Sequence, residues 1–213
     1  MARWFSSDTH FGHTNVIKFC DRPFSDADEM NNKIINTFNK YVSPEDELWI
    51  LGDLAMGDIS KTLPMLSRIL AKKVLVLGNH DRAHPYYGSK HAQWQDRYRF
   101  DTQAEIVHFG NTEILLKNGN HAFVSHFPYG EKTVHPYTTR AGKVETGDKF
   151  AKYRAIDDGA SWLICGHVHE KWAVQGRQIN VGLDAWGGLP VSEEEIIKII
   201  AGGATDKPRI PWL

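Results

Sequence analysis

Three short apolar runs, at residues 3–6, 47–51 and 74–77, are separated by stretches whose apolar residues recur every three to four positions. Strand, helix, strand, helix, strand is the order of a parallel sheet, because parallel neighbours need a long crossover and a helix supplies it. Between the first two runs, Ser25-Asp-Ala-Asp-Glu29 reads as a helix start. Its acidic residues face the positive end of the helix dipole. Met30, Ile34, Ile35, Phe38, Tyr41 and Val42 follow at helical spacing until Ser43-Pro44 closes the helix. Between the second and third runs, a helix over 60–72 is expected to carry Leu63, Leu66, Ile69 and Leu70 on one face. Pro64 is tolerable near its first turn.

The second half reads as shorter strands, at 105–109, 112–116, 122–125, 162–165, 173–175 and 178–181. Gly110-Asn111 and Asn118-Gly119-Asn120 are turn signals between the first three. Ser192-Glu-Glu-Glu195 is a capping box opening a last helix over 193–201. Residues 128–148 read as one long polar loop with Tyr129, Lys132, His135, Tyr137, Arg140 and Lys143. Loops of that length are often functional; this one is either a substrate lid or a solvated segment. The tail over 207–213 is expected to be irregular. At 213 residues the chain suits one domain over its whole length.

Composition narrows the function. Lysine plus arginine (25) nearly equals aspartate plus glutamate (26), which argues against a general polyanion binder. Nucleic acid is therefore a less favoured substrate. The two cysteines, Cys20 and Cys165, sit in no motif and suggest a reducing compartment without a disulfide framework. The start Met-Ala-Arg-Trp-Phe has no signal-peptide core. No apolar run approaches the roughly 18 residues that span a membrane. The expectation is a cytoplasmic protein with no membrane partner.

The strand ends carry the chemistry. The runs end in Ser7-Asp8-Thr9-His10, Gly52-Asp53, Gly78-Asn79-His80-Asp81, Ser125-His126 and Gly166-His167-Val168-His169. In open sheets, sites form beyond the carboxyl ends of strands, so distant residues can converge there. Asp8/His10 and His167/His169 are spaced i, i+2, which in extended chain aims both members at one region. Glycines 52, 78 and 166 allow tight turning. Imidazole, carboxylate and amide oxygen together suit manganese, iron or zinc rather than calcium.

These five blocks, in order from residue 8 to residue 169, resemble those of the calcineurin-like metallophosphoesterases, and the opening Ser6-Ser-Asp-Thr-His-Phe-Gly-His13 looks like that of the small stand-alone members found in bacteria and phages. The resemblance implies a four-layer α/β sandwich of two mixed sheets flanked by helices, the first sheet centred on the strands ending at Ser6, Leu51 and Leu77. It implies two divalent metal ions, manganese ahead of iron or zinc. Asp8, His10 and His169 would hold the first, Asn79, His126 and His167 the second, and Asp53 would bridge them. His80 would be the acid at the leaving oxygen and Asp81 would orient it, with a metal-bridging hydroxide as nucleophile. One departure is visible: where many members have a second carboxylate three residues after the bridging one, this chain has Met56, and the next carboxylate is Asp58.

Two divalent ions, two carboxylates and a hydroxide leave about one positive charge, which matches a phosphodiester. The expected activity is thus a phosphodiesterase on small nucleotide-type diesters, cyclic ones included. The alternatives are a phosphomonoesterase, a nuclease or a metal-binding scaffold that has no activity. His13, Arg22 and Arg140 are candidate substrate contacts. His13 either faces the cleft or caps the segment after it. Arg22 is either a structural ion pair or a phosphate clamp.

Overall fold

The computed structural model describes residues 1–130, 135–138 and 142–212. Lys132 and Arg140 lie outside the described residues, as do the side chains of His135 and Tyr137.

The described strands form two five-stranded sheets and one hairpin. In the first sheet β1 (Arg3–Ser6), β2 (Glu47–Ile50), β3 (Lys72–Val76) and β4 (Ala104–His108) run parallel, and β12 (Val191–Ser192) is antiparallel to β1. The second sheet orders β10 (Val174–Gln175), β11 (Gln178–Asn180), β9 (Trp162–Cys165), β6 (His121–Val124) and β5 (Thr112–Leu115). There β11, β9 and β6 are parallel and both edge strands are antiparallel. The architecture is the expected α/β sandwich of two mixed sheets flanked by helices.

Side-chain alternation builds the layers. Leu48 and Ile50 of β2, with Leu75 and Leu77 at β3, face α2 (Ala27–Tyr41) and its Met30, Ile34, Ile35 and Phe38. Trp49, Leu51, Val74 and Val76 point the other way, into the inter-sheet core with Val124, Ile164, Ile179 and Val181. Both faces of these strands are covered, so they read as unbroken apolar runs. Each buried aliphatic side chain on α2 is worth roughly 1.5–3 kcal/mol against exposure. The helix start is secured reciprocally: Asp26 accepts the Glu29 N–H at 2.8 Å, and the Glu29 carboxylate accepts the Ser25 N–H at 2.8 Å. The closing helix α5 (Glu193–Ala201) has the expected cap, Ser192 accepting the Glu195 N–H.

Four expectations are corrected. The helix over 60–72 breaks up: α3 (Ile59–Thr62) gives way to a 3₁₀ helix, Leu63–Arg68. Pro64 has no N–H for the carbonyl four residues back, so the chain tightens there and Leu70 ends 62 % exposed. The strand over 105–109 is β4 of the first sheet, so Gly110-Asn111 carries the chain between sheets rather than turning a hairpin. Part of the polar loop over 128–148 is an antiparallel pair, β7 (His135–Thr138) with β8 (Val144–Gly147). Short helices α1 (Thr14–Phe19) and α4 (Gln95–Phe100) join elements that periodicity did not mark. Among the described residues no helix is long and apolar enough to cross a membrane.

Candidate metal centre

The strand-end segments lie side by side beyond the sheets. Past β1, Asp8 N–H donates to the Gly52 carbonyl at 3.0 Å and His10 N–H to the Asp53 carbonyl at 2.9 Å. The i, i+2 pairs are not extended, however. Asp8, His10, Asp53, His167 and His169 have φ of 59°, 50°, 52°, 71° and 49°, in the left-handed region. Among the described residues only seven non-glycine positions have positive φ, so five of them fall on proposed ligands. Each costs roughly 1–2 kcal/mol, a strain that clusters at functional sites. Nor do His167 and His169 aim at one region: they belong to two different groups.

Of the three glycines, Gly52 supplies a positive φ of 86°. Gly78 and Gly166 are there because a Cβ would not fit. A Cβ at Gly78 would lie 2.4 Å from Asp53 Oδ1, and one at Gly166 would lie 1.9 Å from Ser7 Oγ.

In the first group Asp8, His10 and His169 each offer a ligand atom within 4.8 Å of the others. Asp8 Oδ2 accepts the His167 N–H at 3.0 Å, while the buried Oδ1 has no partner. Neither ring nitrogen of buried His10 has one either. His169 Nδ1 meets Asp184 Oδ2 at 2.8 Å, which leaves Nε2 facing Asp8 Oδ1 at 3.8 Å. Burial, helped by His169, holds the His10 imidazole well below its usual range, in the neutral form that ligates. Burial raises Asp8 against the pull of His169. Although burial opposes it, Asp8 and Asp184 lift His169 to about 11, the mark of a place that favours positive charge.

The second group is Asp53, His126 and His167, with Asn79 beside it. His126 Nδ1 is 2.7 Å from the Leu51 carbonyl, which can only accept, so the neutral ring keeps its lone pair on Nε2. That nitrogen lies 3.1 Å from Asn79 Oδ1 and 3.2 Å from His167 Nδ1. Burial and His126 hold His167 well below the usual range. Three ligand-type atoms thus converge on one point, an arrangement that suits a cation. With bonds of about 2.0–2.2 Å, ligand atoms around one ion stand roughly 3–3.5 Å apart, close to these spacings. The donor set fits divalent ions in both groups.

Asp53 joins the groups. Its Oδ1 accepts the His80 N–H at 2.9 Å. Its Oδ2 lies 3.7 Å from His10 Nε2, 3.5 Å from His126 Nε2 and 4.0 Å from His80 Nε2. The His80 side chain is 44 % exposed, the open member of an otherwise buried set.

Asp81, Arg22, Asp58 and His13 lie around this centre without joining the ligand groups. Asp81 does not bond to the His80 ring. Its carboxylate accepts the N–H groups of Gly78 at 2.7 Å, Asp53 at 2.9 Å and Leu54 at 3.0 Å, folding two loops together. Burial, then Asp53, pushes it up to about 7. Arg22 has the geometry of the structural ion pair: buried, it spends its guanidinium on both oxygens of Asp184 at 2.8 Å, the carbonyls of Asp8 and Thr9 at 2.7 and 3.1 Å, and Met30 Sδ at 3.4 Å. A guanidinium has five N–H donors, so none is left over. Asp58 caps α3 at the surface and fills no place at the centre. His13 occupies the N-cap position of α1 without a side-chain cap bond, its ring 5.2 Å from that of His10.

Sequence reasoning missed Asp184 and Cys20. Asp184 is fully buried, and against that burial Arg22 and His169 draw it down to about 2. It follows β11 in Gly182-Leu-Asp-Ala-Trp186, a carboxylate at a further strand end, which was the available signal. Cys20 Sγ lies 3.3 Å from His169 Nδ1, with no local motif to announce it.

Residues 1–171 match the calcineurin-like phosphoesterase family. The chain belongs to that family of metal-dependent phosphoester hydrolases. It is 32 % identical over 214 residues to the Gene 66 protein of Mycobacterium phage L5, covering 92 % of this chain and 93 % of that one. An uncharacterized protein of Methanocaldococcus jannaschii is 28 % identical, with 92 % and 90 % covered. The crystal structure of a protein of unknown function from Aquifex aeolicus superimposes with a TM-score of 0.64 at 27 % identity, over 92 % of this chain and 98 % of that one.

Proposed function

We propose that this chain is a dinuclear metal-dependent phosphodiesterase acting on small nucleotide-type diesters, cyclic ones included. Asp53 Oδ2 carries the reading: one carboxylate oxygen lies within 4.0 Å of imidazole nitrogens from His10, His126 and His80. It sits where two ions would share it, with a proton donor beside it. Two divalent ions, manganese before iron or zinc, would supply an acidified solvent nucleophile and neutralise charge on the phosphoryl oxygens.

The chain's own residues do the rest. The Leu51 carbonyl fixes the His126 tautomer, and Asp184 fixes that of His169. His80, held by its backbone to Asp53 Oδ1 and open to solvent, protonates the departing oxygen. Asp8 and Asp53 are the two carboxylates of the groups, so two divalent ions leave a small positive excess. That suits a singly charged diester better than a monoester dianion. Arg22, spent on Asp184, adds no cation to the cleft. Both cysteines are buried and unpaired, which supports a cytoplasmic setting.

The test is a panel of bis- and mono-nitrophenyl phosphate, cyclic nucleotides and single-stranded DNA with manganese, run on wild type and His80→Ala. The expected result is a diester preference, with the variant slower by about 10²–10⁴-fold at unchanged metal content. A faster monoester reaction, or full activity in the variant, overturns the reading.

A further inference from the structure

Behind His169 lies a layer of residues built on Asp184 and Trp212, which lie outside the matched segment 1–171, and on Arg22 and Phe24 within it. The Asp184 carboxylate receives four donors. Oδ1 accepts Arg22 Nε–H at 2.8 Å and Trp212 Nε1–H at 3.2 Å. Oδ2 accepts Arg22 Nη2–H and His169 Nδ1–H, each at 2.8 Å. Trp212 also stacks on Arg22, the guanidinium carbon 5.6 Å from the ring centroid, and meets the Phe24 ring edge-on at 5.3 Å.

The segment carrying Trp212 is tied down on both sides of the site. Lys207 pairs with Val174 at the edge of the second sheet, and Ile210 N–H donates to the Ala185 carbonyl at 2.8 Å, next to Asp184. Two glycines make room for it. A Cβ at Gly188 would lie 2.3 Å from the Trp212 ring, and one at Gly187 would lie 2.5 Å from the Pro211 carbonyl. The tail is thus a fitted strap whose indole both donates to Asp184 and covers the arginine that grips it.

We propose that Trp212 is a positioning residue for the metal centre, acting through Asp184 to aim His169 Nε2 at the first ion. Arg22 fixes the plane of the carboxylate from one side. Trp212 closes the other side, keeps water off the Arg22–Asp184 pair and satisfies the remaining lone pair of Oδ1. A carboxylate held by four donors cannot swing, so the His169 ring it orients cannot swing either. Partners at this remove commonly set metal affinity by 10–100-fold when they touch the ligand directly.

This inference rests on the dinuclear reading above, and the experiment separates the two. Manganese is titrated calorimetrically into the full chain freed of metal, as wild type, Trp212→Phe, Trp212→Ala and Asp184→Asn. The wild type is expected to bind two ions. Asp184→Asn is expected to weaken one of them about 10–100-fold. Trp212→Ala is expected to weaken the same ion by roughly tenfold. Trp212→Phe keeps the stacked ring and loses only the N–H, so its effect should be smaller and confined to that ion. The other ion, held by Asp53, His126 and His167, should bind as in wild type. If Trp212→Ala and Trp212→Phe lower only the melting temperature and leave both affinities at wild-type values, the strap is packing and the proposal fails. If Trp212→Ala does not fold, the Trp212→Phe affinities decide alone. A wild type that takes up no manganese fails the dinuclear reading instead.

Discussion

The Asp81 carboxylate accepts the Asp53 N–H at 2.9 Å, so one acid of the site folds the loop that the other occupies. With the Gly78 and Leu54 amides it gathers three backbone donors in a fully buried place. Asp81→Asn turns an NH₂ toward donors that need an acceptor. The expected cost is about 2–5 kcal/mol in a urea melt, since each orphaned buried group costs roughly 1–3 kcal/mol. Metal content should fall together with activity. A variant as stable as wild type that keeps both ions, as expected of His80→Ala, would return Asp81 to the role of orienting His80.

Arg22 and Asp184 form a buried pair with both side chains fully enclosed. Lysine at position 22 keeps the charge but cannot span both carboxylate oxygens and two carbonyls. Arg22→Lys is expected to lose about 1–3 kcal/mol of folding stability and to weaken the first ion, while KM for the diester at saturating manganese stays unchanged. A raised KM at wild-type stability would point to a phosphate clamp after all.

His84 gives the pH dependence. It is 1 % exposed, its Nδ1 accepts the Tyr86 N–H at 3.1 Å, and its ring lies 4.9 Å from Tyr153. Burial, then His126, pulls it down to about 4, with Asp53 opposing. The unfolded chain takes up this proton as pH falls through about 6.5, whereas the folded chain does so only near 4. Stability is therefore whole above pH 6.5 and declines between 6.5 and 4, by on the order of 3 kcal/mol from this group. Asparagine can accept the same N–H without a proton to gain. Urea melts in chelator at pH 7.5 and 5 should show wild type losing more than His84→Asn, and parallel losses would remove His84 as the cause.

Chelation should destabilise the fold. Five ligand residues sit at positive φ, and Asp8 Oδ1 and both His10 nitrogens are buried without partners. Binding at a hundredfold excess over Kd adds about 2.7 kcal/mol per site. For a chain of this size that is on the order of 5–10 °C in Tm. Scanning calorimetry with manganese and with EDTA measures it, and equal Tm values would mean that these groups hold no ion.

The strands were legible because β2 and β3 are covered on both faces, leaving apolar runs cut off sharply by Gly52-Asp53 and Gly78-Asn79. The residue types at those ends were legible for the same reason. What escaped was set by partners far along the chain. Asp81 reads as a neighbour of His80, but its donors include Asp53, 28 residues earlier. Arg22 shows only a local Asp-Arg-Pro context, while its partner is 162 residues away. The left-handed ligand backbones escaped because aspartate and histidine only tolerate that conformation, so their identity does not announce it. Leu70 was misplaced because a proline near a helix start also permits a 3₁₀ turn.

Each ligand group draws on both sheets: Asp8 and His10 follow β1 while His169 follows β9, and Asp53 follows β2 while His126 and His167 follow β6 and β9. A bound ion is then a rivet through the seam of the sandwich, and two rivets side by side forbid rotation as well as parting. Ions bound there would brake the sliding of one sheet over the other at the end that carries the ligands, and leave the opposite rim the freer to breathe.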